Sequence, residues 1–141
     1  MPFEAVQDVA YTTAATATGG RQGTVRSADG VVDLPLGKPG SAANPKANPE
    51  TLFAAGYAAC FSGALNAVAR SRGIDTAAST VTAEVTFGKT ETGFGLAVSL
   101  VAEIPGVDAD QAKELVEAAH EVCPYSKATR GNIAVSVSAA G

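Results

Sequence analysis

From Leu52 to Ala69 the chain carries no charged residue, and that run constrains the fold more than any other feature. It is long enough to raise the question of a membrane span. Alanine and glycine dominate it, however, with Ser62 and Asn66 in its second half, so it is only weakly hydrophobic. A helix that is apolar all round suits the interior of a fold better than a bilayer. Asn48 is placed to cap this helix and Pro49 to begin it, where a missing N–H costs nothing, and Gly73 is placed to end it. The expectation is a long buried central helix of about 36 Å, at about 1.5 Å per residue.

The segments around it read as strands and one further helix. Residues 11–18 and 21–28 flank Gly19-Gly20, a candidate turn, and Asp29-Gly30 is a hairpin signal leading into residues 31–36. Residues 37–47, GKPGSAANPKA, are rich in turn formers and read as a loop. After the central helix, Val81, Ala83, Val85 and Phe87 alternate with polar residues, as do Leu96, Val98, Leu100 and Ala102 beyond the turn at ETG. Asp108 with Gln111 resembles a capping box, and Ala112, Leu115, Val116, Ala119 and Cys123 then share one helical face until Pro124 stops it. Ile133, Val135 and Val137 make a last strand. The order β-β-β-α-β-β-α-β predicts an α+β fold of helices on antiparallel sheets, in one domain spanning residues 1–141.

A formal charge of −4 with ten scattered basic residues argues against nucleic acid and an anionic membrane as partners. Glu4 and Asp8 stand where a signal peptide wants positive charge, so a cytoplasmic location is expected. No phosphate, flavin or nicotinamide fingerprint is present, and hence no bound cofactor is expected.

The two cysteines, Cys60 and Cys123, form no C-x-x-C, and with His120 as the one histidine a metal site is not indicated. His120 reads as a surface or half-buried helix residue within reach of Glu117. Each cysteine sits at an apolar helix position, so both can face one core. Spacing leaves them open as inert buried thiols, a fortuitous disulfide or a reactive pair.

Three longer segments carry a resemblance: NPETLFAAGYAACFSGAL, HEVCPYSKATRGN and YTTAATATGGRQG. They look like the signature segments of the Ohr/OsmC family, and of its Ohr branch, the organic hydroperoxide resistance proteins. The likeness runs from about Tyr11 to the C-terminus. It implies a cytoplasmic homodimer of intertwined α+β subunits that reduces organic hydroperoxides to alcohols in oxidative stress defence. By position it implies that Cys60 is the peroxidatic thiol, Cys123 the resolving thiol, and Arg21 and Glu50 the polar pair that prepares Cys60. It also implies a lipoyl group on a partner protein as the external dithiol reductant. Thr51 stands where glutamine is usual, and SAANPKA where a glycine-rich lead-in is common, which bears on the pocket lip.

The implied roles make physical sense. A buried thiol needs a cation to become a thiolate, and a guanidinium keeps its proton in an apolar site. Glu50 beside a thiolate would oppose ionisation, so its role is to orient Arg21 through a two-point contact. On a continuous helix Glu50 and Cys60 lie about 15 Å apart along the axis and on different faces. The expectation is a composite site, with Arg21 and Glu50 of one subunit serving Cys60 and Cys123 of the other; the alternative is a kink in the helix at Gly56 or a long reach by Arg21. Cys123 at a helix C-terminus is disfavoured as a thiolate, which suits the second step. Phe53, Phe61 and Tyr125 are candidates for an apolar mouth. The competing readings are an OsmC-type or other thiol reductase, and a non-catalytic dimeric binding module with two core cysteines.

Overall fold

The computed structural model describes residues 3–40 and 45–140, and the chain divides into two compact units, residues 1–49 and 50–141. Residues 41–44, most of the SAANPKA lead-in, lie outside the described residues.

The first unit is a three-stranded antiparallel meander of β1 (Ala15–Thr18), β2 (Thr24–Ser27) and β3 (Asp33–Pro35). The β2–β3 turn is held as its Asp-Gly pair predicts. Asp29 accepts from Ser27 Oγ at 2.6 Å and from the Val31 N–H at 3.0 Å, bonds that hold its carboxyl below the usual range. The β1–β2 connection is not the two-residue turn expected. It is a loop through one 3-10 turn, Gly20–Gln22, closed by the Gly23 N–H on the Gly20 carbonyl at 3.1 Å. Strand β2 therefore starts three residues later than the pattern suggested, and Arg21 belongs to the loop. Gly23 is obligatory here, because a β-carbon on it would lie 1.8 Å from the Thr18 carbonyl oxygen.

Helix α1 (Pro49–Ser71), continuous over 23 residues, belongs to the second unit from Glu50 onward. Its end is a Schellman motif: Gly73, at φ 70°, donates to the Arg70 carbonyl and Ile74 to that of Ala69. This helix is long and apolar enough to cross a membrane, yet Tyr57, Phe61, Ala64, Leu65 and Ala69 bury one face in the core. The facing stripe, Ala55, Ala59, Gly63 and Ala67, is exposed in the single chain.

Strands β4 (Thr80–Thr90) and β5 (Gly93–Glu103) form the second hairpin, with Val98, Leu100 and Ala102 buried against α1 and α2 (Ala109–Val122). Asp108 caps α2 by accepting from the Gln111 N–H at 2.8 Å. Two expectations needed correction. Pro124 ends α2 but also begins a further helix, α3 (Pro124–Thr129), since proline without an N–H is suited to a first helical position. The last strand, β6 (Ala134–Ala140), pairs with β5 in parallel, not antiparallel, because the α2–α3 segment is a crossover that returns the chain to the end where β5 began. The core gathers Tyr57, Phe61, Leu65, Leu100, Leu115, Val116 and Cys123, all essentially without exposure. Each large apolar side chain so buried contributes about 1.5–3 kcal/mol.

Candidate active site

Two sulfurs meet in the second unit. Cys60, half-buried in the middle of α1, lies with its Sγ 3.5 Å from the Sγ of the fully buried Cys123, and both thiols are free. The separation is van der Waals contact; a disulfide requires about 2.05 Å.

Local sequence explains where Cys123 stands. Its N–H closes α2 on the Ala119 carbonyl at 2.9 Å, its carbonyl accepts the Lys127 N–H of α3 at 3.0 Å, and its own backbone is extended at φ −63° and ψ 122°. It is the single residue between the two helices. Cys123 therefore faces the negative end of α2 and the positive end of the short α3, and the two partly offset.

Burial pushes the Cys60 thiol above its ordinary value. The Tyr125 backbone N–H pulls it back, and the Cys123 thiol adds to the rise. A thiol so placed ionises poorly by itself, and its chemistry needs positive charge from elsewhere.

An aromatic cluster borders the pair. Tyr125 lies 6.2 Å from Phe53, nearly parallel, and 5.7 Å from Tyr57, tilted by 53°. It fits because Gly56, one turn before Cys60, has no side chain: a β-carbon there would stand 3.0 Å from the Tyr125 Oη. Phe53 is half-buried and Tyr125 is 39% exposed, so both can meet a substrate. Phe61, expected at the mouth, has no exposed surface and belongs to the core, because its helical position turns it toward the sheet rather than the sulfurs' open side.

Arg21 is exposed in the first unit's 3-10 turn, and Glu50 is half-buried in the first turn of α1. Ten residues of continuous helix separate Glu50 from Cys60, which is about 15 Å along the axis. Their own helix does not bring them together. Among the described residues no group of His, Cys, Asp and Glu is arranged to hold a metal ion.

Sequence reasoning missed the polar shell behind the thiols. The Tyr57 hydroxyl, fully buried, bonds Ser126 Oγ at 2.8 Å and Thr129 Oγ1 at 3.1 Å. Ser126 Oγ also meets His120 Nδ1 at 2.8 Å, so the histidine turns to Ser126 rather than to Glu117. Burial, and then the nearby Arg130, lower the His120 pKa, with Glu121 opposing. Arg130 donates to the His120 carbonyl at 2.6 Å and, more weakly, to that of Glu121, covering the end of α2. The available signal was the pair of hydroxyls three and six residues after Cys123.

Comparison with known proteins identifies the family. A family model described as OsmC-like protein matches residues 40–138. The organic hydroperoxide resistance protein of Xanthomonas axonopodis pv. citri is 46% identical over 138 residues, covering 95% of this chain and 97% of its own. The crystal structure of the organic hydroperoxide resistance protein OhrB of Bacillus subtilis superposes with a TM-score of 0.88 at 46% identity, over 94% of this chain and 100% of that one. That of an organic hydroperoxide resistance protein from Elizabethkingia anophelis gives 0.88 at 50% identity, over 96% and 99%.

Proposed function

This chain belongs to the OsmC-like family, on its organic hydroperoxide resistance branch, and from that premise we propose that it is a cysteine-based peroxidase for organic hydroperoxides. The observation that carries the reading is the contact of two free sulfurs at 3.5 Å, one half-buried and the other sealed in the core. A reagent reaches Cys60 first, and Cys123 stands ready behind it.

The Cys60 thiolate attacks an oxygen of the hydroperoxide. The O–O bond breaks, the alkoxide leaves and takes a proton to become the alcohol, and Cys60 becomes a sulfenic acid. The Cys123 sulfur then displaces hydroxide, which leaves as water with the Cys123 proton, and the Cys60–Cys123 disulfide results. Two electrons from an external dithiol, a lipoyl group on a partner protein, restore both thiols. Phe53 and Tyr125 form the apolar lip that favours organic over hydrogen peroxide.

Arg21 supplies the positive charge that burial makes necessary at Cys60, and Glu50 orients it. Because about 15 Å of helix separates Glu50 from Cys60, we assign the polar pair and the thiols of one site to different subunits of a homodimer. The exposed stripe of Ala55, Ala59, Gly63 and Ala67 supports close approach of a second copy to α1. The enzyme works in the cytoplasm, where thiols are kept reduced.

Mixing reduced protein with one equivalent of an alkyl hydroperoxide, and separately of hydrogen peroxide, tests the chemistry. Intact mass and peptide mapping should find the Cys60–Cys123 disulfide, formed faster with the alkyl reagent; Cys123→Ser should stop at a Cys60 adduct of one oxygen. Unreacted thiols under both peroxides would leave a binding module instead. Linked heterodimers of Arg21→Ala with Cys60→Ser test the shared site. One intact site, and about half the activity, returns if it is shared; no activity returns if it is not.

A further inference from the structure

The hydroxyl cluster beneath the cysteine turn takes no part in the steps above. Tyr57, Ser126 and Thr129 are all buried, and Tyr57 bonds both of the others. Three apolar residues would fill the same space without desolvating polar groups, so such a network is better explained by what it specifies than by stability. Its placement says what that is. Tyr57 lies one turn before Cys60 on α1, whereas Ser126 and Thr129 lie on the first and last turns of α3. Across the break, His120, three residues before Cys123, is bonded to Ser126, three residues after it. The cysteine is thus the middle of a clamp anchored on the helix that carries its partner.

We propose that Tyr57 is a positioning residue for closure of the Cys60–Cys123 disulfide: its hydroxyl, by holding Ser126 and Thr129, keeps the Cys123 turn against α1 with the two sulfurs in contact. The proposal deepens the peroxidase reading and rests on it for the natural oxidant, but not for its test. Sulfurs 3.5 Å apart must close to about 2.05 Å. A pinned turn presents the second sulfur at high effective concentration, and a released turn spreads over positions from which closure fails. Losing two hydrogen bonds of ordinary strength corresponds to roughly a five- to thirtyfold drop.

The test equilibrates the reduced full chain with mixtures of oxidised and reduced glutathione. Each protein dithiol oxidised releases two glutathione thiols, so the equilibrium reports the effective concentration of the pair with no peroxide present. Tyr57→Phe keeps the ring and removes both bonds. Ser126→Ala and Thr129→Val each remove one of the two Tyr57 bonds, the first with the His120 contact and the second with a 3.3 Å bond to the Ser126 carbonyl, and serve if Tyr57→Phe folds poorly. Thr76→Val, which loses a 2.7 Å bond to Asn66 that is not linked to α3, controls for destabilisation alone. The expected result is a drop of roughly five- to thirtyfold for Tyr57→Phe, a drop for Ser126→Ala and for Thr129→Val as well, and none for Thr76→Val. After one equivalent of alkyl hydroperoxide, the Cys60 sulfenic acid of Tyr57→Phe should persist correspondingly longer to dimedone trapping. A wild-type equilibrium in Tyr57→Phe, or an equal drop in Thr76→Val, overturns the proposal. If the wild-type chain forms the disulfide with glutathione and ignores hydroperoxides, the peroxidase reading fails while the clamp is still tested.

Discussion

Gly56→Ala loads the packing of Tyr125 against α1 by a known amount. The new β-carbon would lie 3.0, 3.2 and 3.4 Å from the Oη, Cε2 and Cζ of Tyr125, where ordinary contacts run about 3.5–4.0 Å. The phenol must therefore retreat by about half an ångström. It is 39% exposed, so it has solvent to retreat into, and the loss is a part of its contacts with Phe53 and Tyr57. Such aromatic contacts are worth about 0.5–1.5 kcal/mol each when intact. Alanine in place of glycine inside a helix returns about 0.5–1 kcal/mol. The two effects nearly cancel, and we expect stability to change by less than about 1 kcal/mol, a shift in Tm of under about 4 °C for a chain of this size. Reactivity does not cancel, because the displaced ring borders Cys60. The rate of Cys60 alkylation by a bulky aryl maleimide, relative to iodoacetamide, should rise by about fivefold, the equivalent of about 1 kcal/mol. Thermal unfolding by circular dichroism and the two alkylation rates decide the matter. Destabilisation beyond about 2 kcal/mol would show that Tyr125 does not yield, and an unchanged ratio at wild-type stability would show that its ring does not guard the thiol.

Phe61→Ala should cost about 3–5 kcal/mol by denaturant titration, since the side chain is wholly buried; a cost under about 1 kcal/mol would contradict its place in the core. Gly23→Ala forces the Arg21 loop to rebuild, because the β-carbon collides with the Thr18 carbonyl, and peroxidase activity should fall at least about tenfold, or about 1.4 kcal/mol of barrier, while the glutathione equilibrium of the cysteine pair stays put. For His120 the sign follows from its lowered pKa in the fold: the unfolded chain takes up a proton first as pH falls. Stability is flat well above the ordinary value of about 6.5 and is lost as pH drops from there toward the folded value. Tm measured between about pH 7.5 and pH 5 should fall less steeply in His120→Gln than in the wild-type chain, and parallel profiles would refute it.

What local chemistry controls was legible in the residues. Pro49 and Gly73 bound α1, Asp108 and Gln111 start α2, and Asp29-Gly30 turns the first meander, because caps and turns are decided within a few bonds of the residues that make them. The alternation in β4 and β5 declared their inner faces for the same reason. Proline has two effects, and the pattern around Pro124 declares only the stop of α2, whereas its lack of an N–H equally suits the start of α3. The parallel pairing of β6 was not legible, since strand direction depends on where a crossover delivers the chain.

The candidate site divides in the same way. The two cysteines and their helices were evident from spacing, and the resemblance supplied their roles, but sequence separation carries no distance. That Cys60 and Cys123, 63 positions apart, hold their sulfurs at 3.5 Å is a product of packing α1 against the α2–α3 break. The place of Phe61 was not legible because neighbours in sequence on a helix point to different sides, and only the packed sheet shows which side is core. The Tyr57, Ser126, Thr129 and His120 network was invisible for a related reason: each hydroxyl alone is compatible with a surface, and only burial obliges it to find a partner. The sequence by itself determined most of the elements and where along the chain the two sulfur atoms lie. The tertiary structure alone decided which of those atoms touch, because contact between distant residues is a property of the packed core and not of any stretch of chain.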